Sequence, residues 1–76
     1  VVHLAARPSV PRSIIDPVAS HMANATGTVE VLEAVRRAAG DGPAAQVIVA
    51  SSSSVYGSNP SLPKHERLAT RPVSPY

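Results

Sequence analysis

Two short apolar runs, VVHLAA at residues 1–6 and QVIVAS at residues 46–51, stand on either side of one long stretch with helical periodicity. Runs of this length, nearly continuous in apolar character and carrying β-branched residues, suit strands buried on both faces, as in a parallel sheet. Strand, long helix, strand is a βαβ unit, whose strands run parallel with a right-handed crossover. The predicted fold class is α/β. Two strands and one helix leave sheet edges and one sheet face uncovered, so this unit needs more protein around it.

The helix between the runs is marked at both ends. Asp16-Pro17 supplies an N-cap residue followed by proline at the first helical position. Val18, Met22, Ala25, Val29, Leu32 and Val35 then recur every three or four residues as an amphipathic stripe. Arg36 and Arg37 complement the negative end of the helix dipole, and Gly40 is the expected stop. Gly27 in mid-helix costs up to ~1 kcal/mol against alanine, which a close backbone approach would explain. Asp41-Gly42-Pro43 makes a turn. Pro8 and Pro11 predict a loop over residues 7–16 with one short turn around residues 13–15. Residues 58–75 hold four prolines and no apolar period, and read as a second loop.

Composition removes several function classes. Seven basic and five acidic residues give a formal charge of +2, and the basic groups are scattered with no interleaved aromatics. A nucleic-acid partner wants a dense basic face, so none is expected. Without cysteine there is neither a disulfide framework nor a thiolate metal site, which fits a cytoplasmic protein. No apolar stretch approaches the ~20 residues of a membrane span. His3, His21 and His65 fall on a strand, a helix and a loop without ligand-like spacing, and His3 reads as structural. No GxSxG elbow presents a serine as a hydrolase nucleophile. At 76 residues the chain is at most one small domain, and it opens inside an apolar run without methionine. It is expected to be an internal piece of a longer protein.

The second apolar run stops on four hydroxyls, residues 51–54, before Val55-Tyr56-Gly57. In open parallel sheets ligands bind beyond the carboxyl ends of the strands, where these serines lie. Some of the hydroxyls can point into that crevice while others satisfy nearby amides. A hydroxyl both donates and accepts, which suits a sugar or alcohol oxygen, but it is not by itself a strong base.

Four motifs in order, Val2-His3-Leu4-Ala5-Ala6, Asn24-Ala25-Thr26-Gly27-Thr28 with Val31-Leu32-Glu33-Ala34, Ser51-Ser52-Ser53-Ser54-Val55-Tyr56-Gly57 and Ser74-Pro75-Tyr76, span essentially the whole chain. Together they resemble the extended short-chain dehydrogenase/reductases, specifically the NAD-dependent nucleotide-sugar epimerase/dehydratase family, and most of all its UDP-sugar 4-epimerases. The resemblance implies that residues 1–76 are the central part of an NAD-binding, Rossmann-type doubly wound parallel sheet. The Gly-rich pyrophosphate loop, the acidic ribose partner and the sugar-binding C-terminal region would lie outside it, and the 76 residues alone would be inactive.

Carried onto these residues, the resemblance implies the following roles. Leu4, Ala5 and Ala6 would pass close to NAD at the end of a strand, where small side chains admit a flat cofactor. Asn24 would hydrogen-bond near the cofactor. Its sequon, Asn24-Ala25-Thr26, is discounted as a glycosylation site because it lies in a helix. Ala50 and Ser51 would border the nicotinamide, while Ser53 and Ser54 would border the sugar. Ser52 matches the catalytic Ser/Thr and Tyr76 the tyrosine of YxxxK, and both would touch substrate and Tyr76 also cofactor. Tyr56 is taken as a packing residue. An ordinary phenol keeps its proton at neutral pH, so a base role needs nearby positive charge, which the motif's lysine and an oxidised nicotinamide would supply.

The implied reaction is epimerisation of a UDP-hexose at C4 by transient hydride transfer to bound NAD, in an enzyme expected to be a homodimer at full length. UDP-glucuronate decarboxylase, dehydratase and reductase activities are the alternatives within the family. Ser53 argues against dehydration, because dehydratases carry an acidic residue there. A non-catalytic dinucleotide-binding module is the alternative of another class.

Overall fold

A computed structural model describes residues 1–76. Strand β1, Val2–His3, pairs in parallel with β2, Ile48–Val49, in the register Val2 to Ile48 and His3 to Val49. Backbone bonds from Ile48 N–H to Val1 O (2.9 Å) and from Ala50 N–H to His3 O (3.1 Å) extend the ladder at each end. The parallel pairing is as the sequence predicts, but the strands are shorter than the runs. They are also exposed rather than buried on both faces: Val2, Ile48 and Val49 keep 63%, 56% and 45% of their surface. The sheet has only two strands, so neither has a neighbour on its outer edge.

Between the strands, residues 10–39 are helical but for Asp16. Helix α1, Val10–Ile15, occupies the segment predicted to be a loop. Pro11 sits in its first turn, where a missing N–H removes no helical bond. Ser9 caps that turn, its hydroxyl accepting from Arg12 N–H at 3.3 Å. Asp16 then ends α1 and starts α2, Pro17–His21, its carboxylate accepting from Ala19 N–H at 3.0 Å. This start is the predicted one. A π turn, Met22–Thr26, leads into α3, Gly27–Ala39, which stops at Gly40 with φ +55°. The expected close approach at Gly27 is not found: a Cβ there would meet only the Met22 carbonyl oxygen, at an ordinary 3.6 Å.

The predicted apolar stripe does not face the sheet as a unit. Val18, Met22, Val29 and Leu32 are exposed, whereas Val31, Ala34, Val35 and Ala38 line a groove beside Val1. Two residues are buried, Ser13 completely and Ser20 nearly so, and no apolar side chain is. No helix is long and apolar enough to cross a membrane. Residues 58–75 form no helix or strand, and the Lys64 ammonium gathers part of this loop by donating to the Asn59 and Ser61 carbonyls.

Candidate active site

The chain leaving β1 turns across the π segment and is tied to it twice. Arg7 N–H donates to Asn24 Oδ1 at 2.7 Å, and Asn24 Nδ2 returns a longer bond to Arg7 O at 3.4 Å. At the strand end, His3 Nε2 meets Thr28 Oγ1 at 3.1 Å, while that hydroxyl donates to Asn24 O at 2.7 Å. Thr28's single proton is thus committed, so the His3 ring must donate, with its proton on Nε2. Residues 4–6 lie between the two ties. Leu4, Ala5 and Ala6 line a small cavity with His3, Asn24, Thr28, Val49 and Ala50.

That cavity measures about 70 Å³, the volume of two or three waters at about 30 Å³ each. It is far too small for a dinucleotide and can form only one wall of such a site. Its lining does suit a flat ring, since Ala5, Ala6 and Ala50 present nothing beyond a methyl group.

A second cleft, about 190 Å³, opens beyond β2 between a 3₁₀ turn, Ser53–Tyr56, and the returning segment. Ser52, Ser54 and Val55 line one side, and Pro72, Ser74, Pro75 and Tyr76 the other. Ser52 caps the turn, its hydroxyl oxygen accepting from Ser54 N–H at 3.2 Å. The cap fixes the position of Oγ and leaves its proton available to a ligand. Tyr76 is the only ionisable side chain lining the cleft. The two predicted functions of the serines therefore coexist at Ser52, which satisfies an amide and also faces the cleft.

The returning segment is seated by backbone contacts. Arg71 N–H donates to Val55 O at 2.9 Å. Gly57, at φ +56°, lies so close under this crossing that a Cβ would come 2.0 Å from the Arg71 carbonyl oxygen. Tyr56 is half-buried and borders a separate hollow with Arg71 and Val73.

The predicted site residues thus divide into two groups. Leu4, Ala5, Ala6, Asn24 and Ala50 meet at the first cavity, and Ser52, Ser54 and Tyr76 at the cleft. Ser51 and Ser53 are exposed and line neither. Sequence reasoning gave no role to Thr28, Gly57 or Arg71. Thr28 lies four residues after Asn24, the spacing of one helix face, which was the available signal. No group of three or more His, Asp or Glu side chains converges as metal ligands would.

Comparison with known proteins agrees in family. A profile described as GDP-mannose 4,6 dehydratase matches residues 1–76. A UDP-glucose 4-epimerase of Mycolicibacterium smegmatis is 42% identical over 76 residues, which are all of this chain and 23% of that protein. A UDP-glucuronate 4-epimerase of Thermodesulfobacterium geofontis is 40% identical over 77 residues, 22% of its length. A GDP-6-deoxy-D-mannose reductase of Pseudomonas aeruginosa is 35% identical over 78 residues, 25% of its length. The chain spans about a quarter of the length of these curated relatives.

Proposed function

The chain belongs to the NAD-dependent nucleotide-sugar epimerase/dehydratase family, and on that footing we propose that the intact protein epimerises a UDP-hexose at C4. One observation carries the reading: Tyr76 shares a cleft with Ser52 and Ser54 and is the only ionisable group there. Proton transfer in that cleft would fall to Tyr76, whose phenolate would take the proton of a sugar hydroxyl and later, as the phenol, return it. Ser52, held by its bond from Ser54 N–H, would donate a hydrogen bond to the same oxygen and fix the sugar's position. Ser54 would border the sugar ring.

Leu4, Ala5, Ala6 and Ala50 would pack against a bound nicotinamide dinucleotide, which supplies the acceptor and donor of hydride at the sugar carbon. Asn24 would hold the segment that carries them. These residues make one wall of the site, and the remainder would come from outside residues 1–76.

Dehydration is the reading nearest to the matched profile's description. Ser53 disfavours it, because a neutral, exposed hydroxyl stands where that reaction uses an acid. The deciding experiment incubates the intact protein with NAD and a panel of UDP-hexoses. Interconversion of C4 epimers is expected, with Tyr76→Phe lowering turnover by about 10²–10⁴-fold while leaving dinucleotide affinity within about twofold. Loss of water from a nucleotide sugar, or unchanged turnover in Tyr76→Phe, would overturn the assignment.

A further inference from the structure

We propose that His3 and Thr28 are positioning residues for the dinucleotide, acting through the segment 4–6 that they and Asn24 bracket. The inference rests on the reading of the first cavity as a dinucleotide wall. Neither side chain needs to touch the ligand by its polar atoms. His3 closes β1 and Thr28 lies in the first turn of α3, 25 residues apart in sequence, and their 3.1 Å bond ties the strand end to the helix. Thr28 in turn donates to the backbone carbonyl of Asn24, whose amide holds Arg7 N–H at 2.7 Å.

The four groups therefore form one connected path. It runs from the strand end, through the helix, to the far end of the three residues that line the cavity. Residues 4–6 carry no side chain able to hold their own backbone in place. Leu4 is 69% exposed, and Ala5 and Ala6 offer only methyl groups. Their placement must come from the two ties. A chain segment held at both ends loses its freedom before the ligand arrives, so less ordering remains to oppose binding. The pair should accordingly govern affinity for the dinucleotide and not the rate of the chemical step.

The test compares Thr28→Val, which keeps the shape and removes the hydroxyl, with Thr28→Ser, which keeps the hydroxyl. Both are made in the intact protein. Calorimetric titration with NAD should give a Kd about fivefold weaker for Thr28→Val, the equivalent of one net hydrogen bond. Turnover at saturating dinucleotide should stay within about twofold, and Thr28→Ser should restore affinity. His3→Leu should match Thr28→Val, and the double variant should be no worse than either alone, as for groups that act together. A ligand-free readout accompanies these: amide exchange at Arg7 should quicken in Thr28→Val.

An unchanged Kd in both Thr28→Val and His3→Leu would overturn the proposal, as would a Thr28→Ser protein as weak as Thr28→Val. A fall in turnover with Kd unaltered would also overturn it. Failure of the wild-type protein to bind NAD would instead overturn the reading of the cavity, and it is visible without any variant.

Discussion

A Cβ on Gly57 would lie 2.0 Å from one backbone oxygen and 3.2 Å from the carbon that bears it. Neither atom belongs to a flexible side chain, so the backbone crossing at Arg71 must give way. The positive φ adds strain of about 1–3 kcal/mol for any other residue. Gly57→Ala is therefore expected to lower the unfolding free energy of the intact protein by at least that range in a denaturant titration. It should also depress turnover, because the displaced segment carries Tyr76 five residues later. A variant of wild-type stability and activity would contradict this. Gly57 stood in plain view at the end of the serine stretch, yet nothing beside it in sequence shows why it must be glycine. The obstructing oxygen lies 14 positions away, in a loop with no period to read. His3 is similar: it reads as structural from its strand, but its partner Thr28 becomes visible only once strand and helix are packed together.

The long helical stretch was the best-read part of the chain because its signals are local. Asp16 and Pro17 start it and Gly40 ends it, each through a contact within four residues. Its contact side was harder to read: Val31 and Val35 line the groove beside Val1 while Val29 and Leu32, on the same α3, stay exposed. Helix α1 was missed for a related reason: Pro11 forbids a helix interior but is welcome in a first turn.

The last turns of α3 make a prediction of their own. Glu33 holds Arg36 through two bonds of 2.7 Å and Arg37 at 2.9 Å. These guanidinium groups, Arg36 first and Arg37 second, hold the Glu33 carboxyl below its ordinary value of 4.5. A carboxylate with a lowered pKa adds stability that is full above its ordinary value and fades as pH falls through the lowered one. The C-terminal half of α3 should fray on acidification in that window, and less sharply in high salt, which screens exposed pairs. NMR titration of the Glu33 carboxyl carbon, with Arg36→Gln moving its midpoint back up, checks both statements. A midpoint indifferent to that substitution would refute them.

Residues 1–76 expose 5891 Å², roughly a third more than the about 4,400 Å² of a folded monomer of this mass. The radius of gyration is 14.8 Å, where a compact chain of this length would have about 11 Å. With extents of 45 × 30 × 15 Å and no buried apolar side chain, residues 1–76 form a thin slab whose apolar surfaces lie open. Apolar burial is the dominant favourable term in folding, so the isolated 76 residues are expected to show weak helical circular dichroism without a cooperative thermal transition. One sharp, reversible transition would contradict that expectation. The parallel pairing of the strands was readable from two apolar runs on either side of a helical stretch. The way the loop after the serines returns to the cleft was not, because backbone bonds direct it and they leave no trace in residue type. That return has an evolutionary corollary. The bond from Arg71 N–H to Val55 O closes the loop at its neck, and doubling a flexible loop adds only about 0.6 kcal/mol to the closure entropy. Insertions and deletions beyond Gly57, among residues 58–70, should therefore cost little, while the phenol beyond the neck keeps its place.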